Sequence, residues 1–200
     1  MSSDAEQQPD PAGYLQRAEL LAELGRYDEA AAELSFALAL DPGATDPTLM
    51  LARVHLSGGR PAEALAAAEA AAVGAPEPAP PLVLRGLALV DLRRFAEAAQ
   101  VADQLLAVGP ADAYAQRSGA AILAESHNGQ PALNAAWRSV ELDPRGAPNH
   151  LVLSLVTARL GLFDLAERAY REALRLDPDY GAARRNLERL ASGAPGSSAR

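Results

Sequence analysis

Cysteine is missing from this 200-residue chain, and so is lysine: all 18 basic residues are arginine. Without cysteine there is no disulfide framework, no thiol nucleophile and no cysteine-ligated zinc site. Isoleucine occurs once, at Ile122, and aromatic residues make up only 4% of the chain. No run of about 18 uncharged apolar residues exists, so nothing reads as a membrane span. Met1 to Gly13 is acidic and polar, without the basic flank and apolar run of a signal peptide. A formal charge of −8 argues against nucleic-acid binding, which needs a basic field. What the chain has in excess is alanine, at 46 residues, the best helix former. With no span and no signal peptide the chain reads as a cytoplasmic helical protein, and arginine, alanine, glycine and proline without lysine point to G+C-rich coding, hence to a bacterium.

The sequence repeats itself. Gly25-Arg26-Tyr27-Asp28-Glu29-Ala30 is echoed by Gly59-Arg60-Pro61-Ala62-Glu63-Ala64, by Arg93-Arg94-Phe95-Ala96-Glu97-Ala98 and by Gly161-Leu162-Phe163-Asp164-Leu165-Ala166. The one divergent copy is His127-Asn128-Gly129-Gln130-Pro131-Ala132. Pro42, Pro76, Pro110, Pro144 and Pro178 stand at one constant interval of thirty-four positions, with no slip anywhere in the chain. Ala30, Ala64, Ala98, Ala132 and Ala166 keep the same interval. A fixed period of this length marks a repeat architecture.

The pattern resembles the tetratricopeptide repeat, with units at 11–44, 45–78, 79–112, 113–146 and 147–180. The resemblance implies an all-α, right-handed α-solenoid of five helix-turn-helix units. Small residues recur at the eighth position (Ala18, Ala52, Gly86, Ala120, Ser154), where paired helices cross closely. The closing prolines end each second helix. Inner helices are expected near 12–24, 47–57, 80–92, 113–125 and 148–160, and outer ones near 28–40, 62–73, 95–107, 131–141 and 164–176. The Arg-studded segment 181–192 reads as a capping helix, since a solenoid must cover its last apolar face. The tails 1–10 and 193–200 are expected to be disordered.

Signatures of chemistry are absent: no Gly-x-Ser-x-Gly elbow, phosphate loop, dinucleotide fingerprint or His-Glu-x-x-His. His55, His127 and His150 fall at three different repeat positions and read as structural or solvated, and Trp137 reads as a bulky cover over an alanine-rich outer helix. No catalytic residue, metal site or cofactor is expected.

In the family the chain resembles, ligands lie along the inner helices. Carried over, those positions give Leu15 and Glu19; Leu49, Arg53 and Leu56; Val83, Leu87 and Val90; Arg117; and Leu151, Leu155 and Arg159. The leucines and valines form an apolar stripe, interrupted by Arg53, Arg117 and Arg159, and an exposed stripe of that kind suggests a partner site. The clamp with which some members hold chaperone C-termini is missing, because its basic and amide positions are Leu15, Glu19, Pro80 and Leu84.

The resemblance therefore implies a non-enzymatic scaffold that binds a peptide or helical segment of another protein in a concave groove, with a monomer favoured and no nucleic acid or membrane insertion. Two alternatives stay open. The chain is the soluble repeat domain of a larger membrane-associated or multidomain protein, or it is a chaperone for secreted proteins.

Overall fold

A computed structural model describes residues 11–192, and among them it contains eleven α-helices and no strand. They are α1 (Pro11–Glu23), α2 (Tyr27–Leu40), α3 (Thr45–Ser57), α4 (Pro61–Ala72), α5 (Ala79–Asp91), α6 (Phe95–Val108), α7 (Ala113–Glu125), α8 (Gly129–Leu142), α9 (Ala147–Arg159), α10 (Phe163–Leu176) and α11 (Gly181–Ala191). The expectation of disorder at 1–10 and 193–200 lies outside the described residues.

The chain divides into two compact units, Met1–Leu92 and Arg93–Arg200. In the first, α1 packs on α2 and α3 on α4, while α2 meets α3, α4 meets α5, and α3 meets α5 directly. The close crossings follow from side-chain size. Ala18, Ala30, Ala52 and Ala64 are fully buried, so the two backbones of each pair approach with only methyl groups between them. One core cluster joins Ala18, Ala30, Ala31 and Leu34 to Val54, locking the second pair onto the first. Another joins Ala52, Ala67, Ala68 and Leu84.

The second unit repeats the scheme. Here α7 packs on α8 and α9 on α10, with α6–α7, α8–α9, α7–α9 and α10–α11 contacts between them. Ala98, Ala120, Ala132, Ser139, Ser154, Ala166 and Ala173 are all completely buried. At its C-terminal side Leu151, Ala166, Tyr170, Ala173 and Ala183 form a cluster on which Leu187 and Leu190 of α11 are packed. Trp137 stays 40% exposed on α8, whose buried face consists of Ala132, Ala135, Ala136 and Ser139.

The turns show how five different sequences reach one geometry. Gly25, Gly59 and Gly161 have φ of 73°, 70° and 75°, a left-handed conformation that glycine adopts without a side-chain clash. The residue after each donates back across the helix end: Arg26 N–H to the Leu21 carbonyl at 2.8 Å, Arg60 to His55 at 2.8 Å and Leu162 to Thr157 at 2.9 Å. Arg93 and His127 occupy the same repeat position at φ 60° and 62°, without glycine's freedom. The divergent fourth turn still closes, with Asn128 N–H donating to the Leu123 carbonyl at 2.9 Å. Between pairs, Asp41, Asp143 and Asp177 each accept from the backbone N–H two residues on, at 3.1–3.2 Å, which holds the loop around the closing proline.

Candidate inner-helix binding surface

The inner helices of the first unit are α1, α3 and α5. Leu49 and Leu56, one on each end of α3, are half-buried against the Ala52–Ala67–Ala68–Leu84 cluster. Arg53 stands exposed between them, Leu15 on α1 is half-buried, and Glu19 is exposed. On α5, Leu87 is 36% exposed and Val90 is half-buried. Because α3 and α5 pack directly on each other, this unit brings Leu49, Leu56, Leu87 and Val90 onto adjacent helices with solvent-accessible tips.

Val83 departs from the expected stripe. It stands one full repeat on from Leu49, yet it is only 7% exposed. Its β-branched methyl groups stay close to its own backbone, where the longer leucine projects. Leu151 departs too, at 9% exposed, because it belongs to the core cluster with Ala166, Tyr170, Ala173 and Ala183.

In the second unit the inner helices are α7 and α9; of the expected stripe Leu155 is 36% exposed, and Tyr114 on α7 is 41% exposed. Both arginines here are already engaged. Arg159 pairs with the Glu125 carboxylate, and the Arg117 guanidinium lies 5.4 Å from the centroid of the Tyr114 ring. A hollow of about 180 Å³ sits beside them, lined by Ala124, His127, Gly129, Val156, Arg159 and Leu160.

A larger depression lies on the first unit. It has a volume of about 440 Å³ and is walled by Pro11, Leu15, Ala37, Ala44, Pro47 and Pro76, with Asp41, Thr45 and Asp46 among its polar lining. Of the residues expected to face a ligand, Leu15 lines it, together with Pro76, the closing proline of the second repeat, and the Asp-Pro loop at Asp41.

His55 and His150 are at least partly buried, whereas His127 is exposed. The His150 ring Nε2 lies 2.9 Å from the Pro144 carbonyl, and His127 presents its ring edge-on to Phe95, centroids 5.2 Å apart. Burial, with the Arg60 charge beside it, holds the His55 imidazole below its ordinary pKa against the opposing pull of Glu63 and Asp28. Its Nδ1 has no hydrogen-bond partner among the described residues. Among the described residues no three His, Asp or Glu side chains gather where a metal ion could be held. No helix among them is long and apolar enough to cross a membrane.

Sequence profiles described as tetratricopeptide repeat match residues 21–80, and a second such profile matches 83–147 and 151–187. No curated protein is similar enough in sequence to serve as a relative. Among solved structures, the chain is similar to a thermophilic tetratricopeptide repeat protein of Thermus thermophilus, with a TM-score of 0.80 at 21% identity, covering 92% of this chain and 100% of that one. It is also similar to YrrB, described as a repeat protein with an unusual peptide-binding site, with a TM-score of 0.55 at 22% identity over 90% and 92% of the two chains. MamA of Desulfovibrio magneticus matches with a TM-score of 0.62 at 18% identity over 86% and 98%. At these identities the likeness is one of fold, but the profiles cover most of the sequence and agree with the helix pairing and the buried small residues. The chain belongs to the tetratricopeptide repeat family, whose repeats build protein–protein interaction scaffolds.

Proposed function

We propose that this protein is a non-enzymatic, cytoplasmic scaffold whose inner helices take up a short apolar peptide or helical segment of another protein. The observation that carries this reading is Leu87. It stands 36% exposed on an inner helix, beside Leu49, Leu56 and Val90, where a folded chain gains by removing such side chains from water. The peptide-binding site named for YrrB supports the reading by analogy of fold. Leucine anchors on rigid helices suit this task, since little side-chain freedom is lost on binding.

Selection of short peptides from a displayed library on the immobilised protein tests the proposal. Enriched peptides should be apolar, and Leu87→Asp should weaken them at least tenfold, because the substitution sets a charge against a desolvated anchor. Val73→Asp, at a 90% exposed residue that ends an outer helix, should leave them unchanged. No enrichment on the wild type, or equal binding by Leu87→Asp, overturns the proposal.

A further inference from the structure

Leu20, Val54, Ala88, Ile122 and Val156 occupy the same repeat position, one on each inner helix. Four of them are sealed in the interior, at 3%, 0%, 0% and 1% exposure, while Leu20 is 57% exposed. Val54 shows what this position normally meets: it packs on Ala30, Ala31 and Leu34, the latter three all on the outer helix of the preceding pair. Leu20 is built for the same contact and has no described helix ahead of it. One turn on, Leu24 is 63% exposed. Beside these leucines run Glu19 and Glu23, also one turn apart and both exposed, with no ion pair among the described residues. The result is an apolar ridge edged by carboxylates.

The last helix has the converse character. One side of α11 is taken up by its own protein, with Ala183 buried and Leu187 and Leu190 packed on the α9–α10 cluster. The other side breaks the repeat rule. Every preceding inner helix has a small residue at the crossing point (Ala18, Ala52, Gly86, Ala120, Ser154), but α11 has an exposed Glu188 there. Among the described residues no partner helix closes over it. Arg184 and Arg185 are exposed on the helix as well, and α11 holds three arginines against one glutamate. Arg184 donates to the Pro178 carbonyl at 2.6 Å and has no ion pair among the described residues.

We propose that the occupant of the α1 ridge is the α11 helix of a second copy of this chain, in a head-to-tail contact. Arg184 and Arg185 of one copy meet Glu19 and Glu23 of the next, and the arginine methylenes lie over Leu20 and Leu24. Charge decides between the two ways in which copies can meet. Residues 1–44 hold nine acids and two arginines, whereas residues 145–200 hold six acids and nine arginines. Joining two α1 ridges brings like charge together, and joining ridge to tail brings opposite charge together. The segment 1–10 is a poor cover for the same reason, because its charged residues are Asp4, Glu6 and Asp10. A contact between unlike faces leaves one of each free, so it can extend beyond a dimer. This contact departs from the monomer favoured from the sequence, and of the residues expected on the inner-helix binding surface it uses Glu19 but none of Leu49, Leu56, Leu87 and Val90.

Sedimentation velocity of the full chain from micromolar to near-millimolar concentration, at moderate ionic strength, tests the contact. The wild type should gain mass with concentration. Glu19→Arg/Glu23→Arg should abolish that gain, as should Arg184→Glu/Arg185→Glu, each with an unchanged melting curve because all four side chains are exposed. Mixing the two variants should restore association, since each supplies the face that the other has lost. Leu20→Ser should weaken association without touching any charge. A wild type that stays monomeric throughout overturns the proposal. So does a mixture that remains monomeric, and so does an Arg184→Glu/Arg185→Glu variant that associates like the wild type, which would place the contact between two α1 ridges.

Discussion

The turn at repeat position fifteen offers a test in which sequence, backbone geometry and stability are tied by sign. At Gly59 the backbone φ is 70° and a Cβ would meet nothing within 4 Å, so Gly59→Ala adds a methyl group without a clash. Only the backbone conformation resists it. Holding an L-residue in the left-handed region costs about 1–2 kcal/mol, and removing a glycine recovers about 0.4–1 kcal/mol from the unfolded chain. The net loss is about 1 kcal/mol, or a fall of roughly 2–4 °C in melting temperature for a chain of this size. Arg93 occupies the equivalent position at φ 60° with a side chain, so Arg93→Gly should act in the opposite direction. Its gain is reduced by the loss of the Arg93 guanidinium 5.9 Å from the Phe95 ring centroid, a contact of about 0.5 kcal/mol at an exposed site. A net gain of about 0.5 kcal/mol remains. His127→Gly should come out near zero, because relief of the same strain is offset by loss of the edge contact with Phe95. Urea unfolding followed by circular dichroism resolves these differences. A neutral Gly59→Ala, or an Arg93→Gly that destabilises as much as Gly59→Ala, would refute the link between turn conformation and stability.

Three further outcomes follow from particular residues. Lowering the pH below 6.5 should destabilise the protein, because the unfolded chain takes up a proton that folded His55, with its depressed pKa, refuses; His55→Gln should flatten the slope between neutral pH and about pH 5, and an unchanged slope contradicts the assignment. Truncation after Asp179 removes α11 and uncovers Leu151, Tyr170 and Ala173, so the shortened chain should melt lower or aggregate, whereas an unchanged melting curve means that α11 is not a cap. Amide exchange should be faster in 124–141 than in 150–175, since the first segment pairs a turn held at positive φ by His127 with a helix buried only through alanine and serine; equal protection would exclude it.

The helices were legible because their determinants are local and periodic. A small residue at each crossing and a closing proline recur once per repeat, a glycine turn recurs in three of the five, and every expected helix end lies within two residues of the observed one. The third and fourth turns were harder to read, because Arg93 and His127 reach the left-handed conformation only when the helices on either side impose it. The binding surface was legible by position but not by depth. Leu49 and Val83 share a repeat position, yet one keeps an accessible tip and the other is buried, a difference set by side-chain length and neighbouring helices that periodicity does not encode. The exposure of Leu20 was hidden for a related reason. Its residue type is that of a core position, and only the place of α1 among the described helices leaves it uncovered.

Whether the inner helices hold a partner segment is measured most directly by methyl NMR. With leucine and valine methyl groups labelled, an apolar peptide enriched on the wild type is titrated into the protein. Shifts are expected at Leu49, Leu56, Leu87 and Val90, with none at Leu34, Val73 or Leu105. Shifts confined to outer-helix methyl groups, or spread evenly over the chain, would contradict binding by the inner helices.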